Sequence, residues 1–227
     1  MMYFVTVGNK REIDVIKELK PNNLLISYFF FKTKGVKPLL DYIGYHPNII
    51  LDSGAYSAWT RGKNIALPDY IDFVIKNKHL VNHYISLDMI DDHMGDEFSK
   101  RYYDMMLLYG LEPIPVYHEQ DDITYLDYYV ECEPPFIALG GTANNRSKIQ
   151  VREWVKSTQE RYPKQAFHLL GSSSKQITDH VQLRSFDSTT WIMQSFNGKP
   201  KHIVGTSSAK TQERMFYNMS KLMEEYA

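Results

Sequence analysis

Short apolar runs recur along this chain, and each stops at a small or polar residue. They cover Tyr3 to Val7, Leu24 to Phe31, Asn48 to Leu51, His83 to Leu87, Pro113 to Tyr117, Phe136 to Leu139, Ala166 to Leu170 and Leu183 to Phe186. Runs of this length, bounded by turn residues, have the pattern of buried parallel strands. Helical spacing fills most of the gaps, as in Ile13, Ile16 and Leu19, or Ile71, Val74 and Ile75. Pro21 stops the first helix, Pro68 suits a helix start, and Gly110 suits the end of the helix over Phe98 to Tyr109. Asp122 is placed to cap a helix, and Ser147 with Gln150 forms a capping-box pattern. The last helix begins near Ser208 and gathers Met215, Phe216, Met219, Leu222 and Met223 on one face, a stripe suited to core packing. Eight strand candidates alternating with helices predict a closed (β/α)8 barrel, an α/β fold, as one domain over residues 1–227. Two longer connections, Tyr56 to Leu67 and Ser188 to Ser207, read as binding loops or lids.

Composition narrows the function classes. The 227 residues carry a formal net charge of -1, which argues against general nucleic-acid binding through an excess of Lys and Arg. A local basic patch is compatible with it. The single cysteine, Cys132, forms no internal disulfide and no multi-thiolate zinc site. The start, Met1-Met2-Tyr3-Phe4-Val5, reads as a strand and not as a signal peptide. No stretch approaches a membrane span. The expectation is a cytoplasmic protein with no membrane partner.

The polar residues after the runs carry the chemistry. In a barrel, Asp52, Asp88, His118, Gly140, Gly141, Gly171 and Asp187 all fall at the carboxyl ends of strands, where this fold builds its sites. Asp52 in Asp52-Ser53-Gly54-Ala55-Tyr56 also suits a turn-forming acid. Three converging carboxylates repel, so one is expected to hold a raised pKa while another stays ionised. That division supplies an acid/base and a nucleophile. Mg²⁺ binding is the competing use, with Asp88, Asp91, Asp92 and His93 in one segment; Asp91 and Asp92 read more simply as a loop or a helix cap. His118 and His168 read either as active-site groups or as satisfied, partly buried histidines.

The segments Asp52-Ser53-Gly54-Ala55-Tyr56, Ser86-Leu87-Asp88, Gly140-Gly141, His168-Leu169-Leu170-Gly171 and Phe186-Asp187-Ser188 occur in order. Together they resemble the tRNA-guanine transglycosylase superfamily, and most of all the shortened phage and bacterial DNA 7-deazaguanine transglycosylases that lack a zinc subdomain. The resemblance implies a pentosyltransferase that replaces guanine with a 7-deazaguanine, in DNA rather than tRNA. It implies Asp187 as the nucleophile of a covalent glycosyl intermediate and Asp52 as general acid/base. It further implies Tyr56 stacking on the base, Asp88 reading it, and Ser53, Gly140 and Gly141 lining its pocket, with His118, His168 and Gly171 around them. Two departures stand out: Ala55 where the family has a second glycine, and Tyr117-His118 where a glutamine is expected.

The same exchange on tRNA, an N-glycosidase, and a non-catalytic barrel that binds nucleic acid for a partner enzyme are the alternatives. The implied partners are nucleic acid, the free base and a protein partner; no cofactor is implied. Ser172-Ser173-Ser174 reads as a phosphate cradle or an N-cap cluster. Arg61, Lys63, Lys199 and Lys201 are candidate phosphate contacts at the mouth.

Overall fold

The aliphatic and β-branched runs become strands, as their side chains favour. In the computed structural model, which describes residues 1–90, 95–141 and 147–226, these are β1 (Met2–Thr6), β2 (Asn23–Ser27), β3 (Asn48–Asp52), β4 (His83–Tyr84), β5 (Val116–His118), β6 (Ile137–Gly140), β7 (Phe167–Leu169) and β8 (Ser185–Ser188). All pair in parallel, in the order β4-β3-β2-β1-β8-β7-β6-β5. The two ends of that order meet through a parallel bridge between Ile85 and Ile114. There Ser86 N–H donates to Ile114 O, and Ile114 N–H donates to Tyr84 O, each at 2.8 Å. The sheet therefore closes, and the fold is the expected (β/α)8 barrel.

Period-two alternation sorts the strand residues into two layers. Tyr3, Leu25, Ile50, Ile85, Ile114, Val116, Phe136 and Ala138 fill the lumen. Phe4, Leu24, Ile26, Ile49, Leu51 and Leu139 point outward into a larger core under the helices. Those helices are α1 (Lys10–Leu19), α2 (Tyr28–Phe31), α3 (Lys37–Ile43), α4 (Ala55–Trp59), α5 (Leu67–Asn77), α6 (Gly95–Leu108), α7 (Ile123–Glu131), α8 (Lys148–Arg161), α9 (Lys175–Thr178), α10 (Thr190–Phe196) and α11 (Ser208–Glu225). Met215 and Met219 of α11 are fully buried, so the methionine stripe packs the core. The capping signals act as read. Asp122 accepts from Thr124 N–H at 2.8 Å, and Ser147 and Gln150 cap each other's backbone.

Some boundaries differ from the sequence reading. The run Leu24 to Phe31 is not one strand. It is a strand to Ser27 and then the turn of helix α2, whose Tyr28 and Phe31 pack into the outer core. The eighth strand is shifted, so Asp187 lies within it and not after it. The connections after Tyr56 and after Ser188 are not open loops, since they hold α4 and α10. Among the described residues, no helix is long and apolar enough to cross a membrane.

Candidate active site

The alternation that fills the lumen continues to the mouth. Two residues beyond Leu25, Ile50, Val116, Ala138 and Ser185 come Ser27, Asp52, His118, Gly140 and Asp187. Most of the polar strand-end residues named from the sequence are thus brought to one end of the barrel.

Asp52 sits at the tip of β3, partly open to the mouth. Its Oδ2 accepts from Gly54 N–H at 2.9 Å, the turn-forming contact expected of an acid there. Gly54 takes φ +81°, and a Cβ on it would lie 2.3 Å from Ser27 Oγ and 2.6 Å from Phe29 Cβ. The chain can turn this tightly beside α2 only because position 54 is glycine. Burial of the carboxyl, followed by the charges of Asp88 and Asp187, pushes the Asp52 pKa up to about 8. The shift favours the protonated form of Asp52.

Asp187 is 5 % exposed and has two fixed donors. Gly171 N–H donates to its Oδ1 at 3.0 Å. His168 Nε2 lies 3.0 Å from the same oxygen, and Ser185 Oγ lies 2.7 Å from His168 Nδ1. With Asp187 as acceptor, Nε2 carries the ring proton. His168 is a satisfied, buried histidine, with Ser185 and Asp187 as its partners.

Asp88 follows β4 and is buried. Ser53 Oγ donates to its Oδ1 at 3.3 Å, and His118 Nε2 stands 3.3 Å from its Oδ2. His118 Nδ1 stands 3.3 Å from Asp121 Oδ2, which also accepts His118 N–H at 2.8 Å. Burial opposes charge on the ring, but the hydrogen bonds and charges of Asp121 and Asp88 override it and push the His118 pKa up to about 10. Asp121 escaped the sequence reading. Its only signal was its place three residues after His118.

A cleft of ≈ 170 Å³ opens beside Asp88, walled by Trp59, Ile65, Leu87, Ile90 and Tyr102, with Lys63 and Asn64 also lining it. The other candidates stand apart to different degrees. Tyr56 lies on α4, 49 % exposed, with its ring 6.0 Å from that of Trp59. Arg61 stacks over Phe29 and Phe30 at 5.8 and 5.2 Å. Lys199 and Lys201 are exposed on the connection after α10. Gly141 takes φ +82° at the turn after β6. Ser174 occupies the N-cap of the four-residue helix α9 without a side-chain cap bond. Asp91, Asp92 and His93 lie outside the described residues, in which no group of three or more His, Cys, Asp and Glu side chains is arranged to hold a metal ion. A larger groove of ≈ 730 Å³, lined by residues such as Ile203, Phe216 and Tyr217, shares no residue with the carboxylate cluster.

No family model matches the chain. No curated protein matches it. Solved structures do. A mutant tryptophan synthase α-subunit from Pyrococcus furiosus matches with TM-score 0.59 and 9 % identity, over 98 % of this chain and 97 % of that one. CdNal from Clostridium difficile, solved with mannosamine, matches with TM-score 0.58 and 9 % identity, over 98 % and 82 %. The YdjI aldolase from Escherichia coli K12 matches with TM-score 0.55 and 12 % identity, over 99 % and 89 %.

None of these is a transglycosylase, and the transglycosylase resemblance is corrected accordingly. With it go the pentosyltransferase assignment, the 7-deazaguanine exchange in DNA or tRNA, the phage attribution, and the glycosidase and binding-subunit alternatives. The physical reason lies in the motifs. They are two to five residues long and are made of the small and acidic residues that strand ends of this fold use for turns and sites. Likeness at this identity is likeness of fold. In fold the chain is similar to barrels of the aldolase and tryptophan synthase α-subunit kinds.

Proposed function

We propose that the chain is an acid–base enzyme that cleaves an aldol-type carbon–carbon bond in a small hydroxylated carbonyl compound. Asp187 is the base and Asp52 the acid. The feature that carries this reading is the difference between two acids at the barrel mouth: Asp52, whose pKa is pushed up to about 8 by burial and by the charges of Asp88 and Asp187, and Asp187, fixed as an acceptor by Gly171 N–H and His168. Two acids whose environments differ in this way divide into donor and acceptor.

Asp187 takes the proton of the hydroxyl on the β-carbon. The bond between the α- and β-carbons breaks, and an aldehyde leaves from the β-carbon side. The electron pair moves into the carbonyl fragment, whose oxygen receives the Asp52 proton to give an enol. The enol then returns to the ketone, and proton exchange with water resets both acids. The cleft beside Asp88, which Asp52 and Asp187 do not themselves line, offers apolar walls for the part of the substrate away from the reacting carbons, and Lys63 suits an anionic end. Its modest volume fits a small molecule.

Two other routes to the same cleavage lack support among the described side chains. A Schiff base needs a desolvated lysine, and no lysine lies on a strand or is buried among the described residues. The described acids and histidines form no metal-binding set.

The test is a panel of 4-hydroxy-2-oxo acids and phosphorylated hydroxyketones, with released aldehyde measured by a coupled reduction. At least one member turns over. Asp187→Asn and Asp52→Asn each lower its turnover by about 10²-fold or more. Borohydride added with substrate leaves the enzyme active, as does a chelator. Borohydride inactivation, chelator inactivation or a wholly inert panel would each sink the reading.

A further inference from the structure

We propose that Asp121 and Gly140 are positioning residues of this site. Asp121 holds the His118 ring from behind, Gly140 leaves the space in which it lies, and together they aim Nε2 at the Asp88 carboxylate. The proposal rests on reading the barrel mouth as an acid–base site.

Three elements meet at the ring. His118 ends β5, and Asp121 N–H donates to His118 O at 3.1 Å, closing a tight turn. The turn brings the Asp121 carboxylate back onto both His118 N–H and Nδ1, at 2.8 and 3.3 Å. From β6, Gly140 lies against the Cδ2–Nε2 edge of the ring. A Cβ there would lie 2.6 Å from both Cδ2 and Nε2. Contacts that short are not tolerated, so any larger residue there displaces the ring from the place in which Nε2 meets Asp88. From the end of β4, Asp88 receives Nε2 at 3.3 Å.

The arrangement explains a conflict of charges. An imidazolium in a buried site is costly unless it is paired and hydrogen-bonded. Here both ring nitrogens meet a carboxylate, so the cation is held, and Asp88 has a fixed counter-ion. Tyr129 of α7 feels the charges of Asp121 and Asp88, and Asp52 feels Asp88 across the mouth. The Gly140-Gly141 pair, which the resemblance set along a base pocket, acquires a different role at its first position: it is the seat of a histidine.

The experiment is an NMR pH titration of the His118 ring nitrogens in the full chain, in four forms. The parent keeps the ring charged through neutral pH. In Asp121→Asn the midpoint falls by about 1–3 pH units, the effect of losing one adjacent opposite charge. Asp121→Glu recovers most of that fall. Gly140→Ala lowers the midpoint with Asp121 still in place, because the ring loses Asp88. An Asp121→Asn protein with a native amide spectrum and an unmoved midpoint overturns the proposal. Should that variant not fold, Gly140→Ala decides, and an unmoved midpoint there overturns it equally. These titrations need no substrate. Shifted midpoints in a protein that cleaves no aldol substrate leave the positioning role standing and remove only the reaction assigned to the mouth.

Discussion

His168 Nε2 and Asp187 Oδ1 stand 3.0 Å apart, with the histidine fully buried and the acid nearly so. Removing the histidine leaves Gly171 N–H as the remaining donor to that oxygen and forfeits one hydrogen bond to a buried carboxylate, at a cost of about 1–3 kcal/mol. His168→Phe fills the same space without the N–H. It also strips Ser185 Oγ of its partner. In a chain of this size the melting temperature is expected to fall by about 3–10 °C. His168→Gln, with an amide N–H able to reach toward Asp187, is expected to keep more of both stability and turnover. Equal melting temperatures for parent and His168→Phe would show that the contact is not worth what its burial implies.

The pH dependence of stability follows from Asp52 and His118. Asp52 has a pKa raised from 3.8 to about 8, so the folded state binds its proton more tightly than the unfolded state does. Its stabilising contribution is complete below about pH 4 and is lost as pH rises through about 8. His118, raised from 6.5 to about 10, loses its contribution over that higher window. Both act in the same direction, so together they lower the melting temperature progressively between about pH 4 and pH 10. Asp52→Asn removes the first of these losses. It should melt close to the parent near pH 4 and increasingly above it as pH rises to about 8, as read by thermal denaturation across a buffer series. A constant gap between the two proteins would count against a raised Asp52.

Gly54 is the hinge on which Asp52 is aimed. Its N–H donates to Asp52 Oδ2, its φ is +81°, and its absent Cβ would overlap Ser27 Oγ and Phe29 Cβ. Gly54→Ala therefore adds a backbone penalty to a steric one, about 2–5 kcal/mol together. Urea denaturation should show the loss as a lower midpoint with an unchanged slope. A fall in turnover larger than the loss of folded protein would show that the turn also orients the acid.

The barrel was legible because its signal is repeated. Eight apolar runs, each stopping at a small or polar residue, leave few architectures open. The strand ends were legible for the same reason, and Asp52, Asp88 and Asp187 converge as the topology requires. What escaped were features set by packing and not by pattern. Tyr28 and Phe31 continue an apolar run, and periodicity cannot tell a short buried helix from more strand. Tyr56, which only the resemblance set against a ligand, rides on the short helix α4 beside Trp59, half exposed, a placement that periodicity does not give. Asp121 was missed because its role depends on a turn that folds it back onto His118. The family resemblance misled because its motifs were built from residues that the fold itself selects.

Asp88 links the two halves of the site, and its replacement is the sharpest test of how they communicate. It accepts from Ser53 Oγ, faces His118 Nε2, and is the second cause, after burial, of the raised Asp52 pKa. Asp88→Asn keeps the shape and an acceptor for Ser53 while removing the charge. Two titrations should move together. The Asp52 midpoint falls below about 8, because one of the two repelling carboxylates is gone. The His118 midpoint falls below about 10, because one of its two counter-ions is gone. In any assay that reports turnover, the alkaline limb set by the Asp52 proton should shift to lower pH by a corresponding amount. Burial still holds Asp52 above an ordinary carboxylate, so the limb moves without disappearing. If the His118 midpoint falls and the Asp52 midpoint stays, then burial and Asp187 alone hold the Asp52 proton, and the two halves of the mouth act independently.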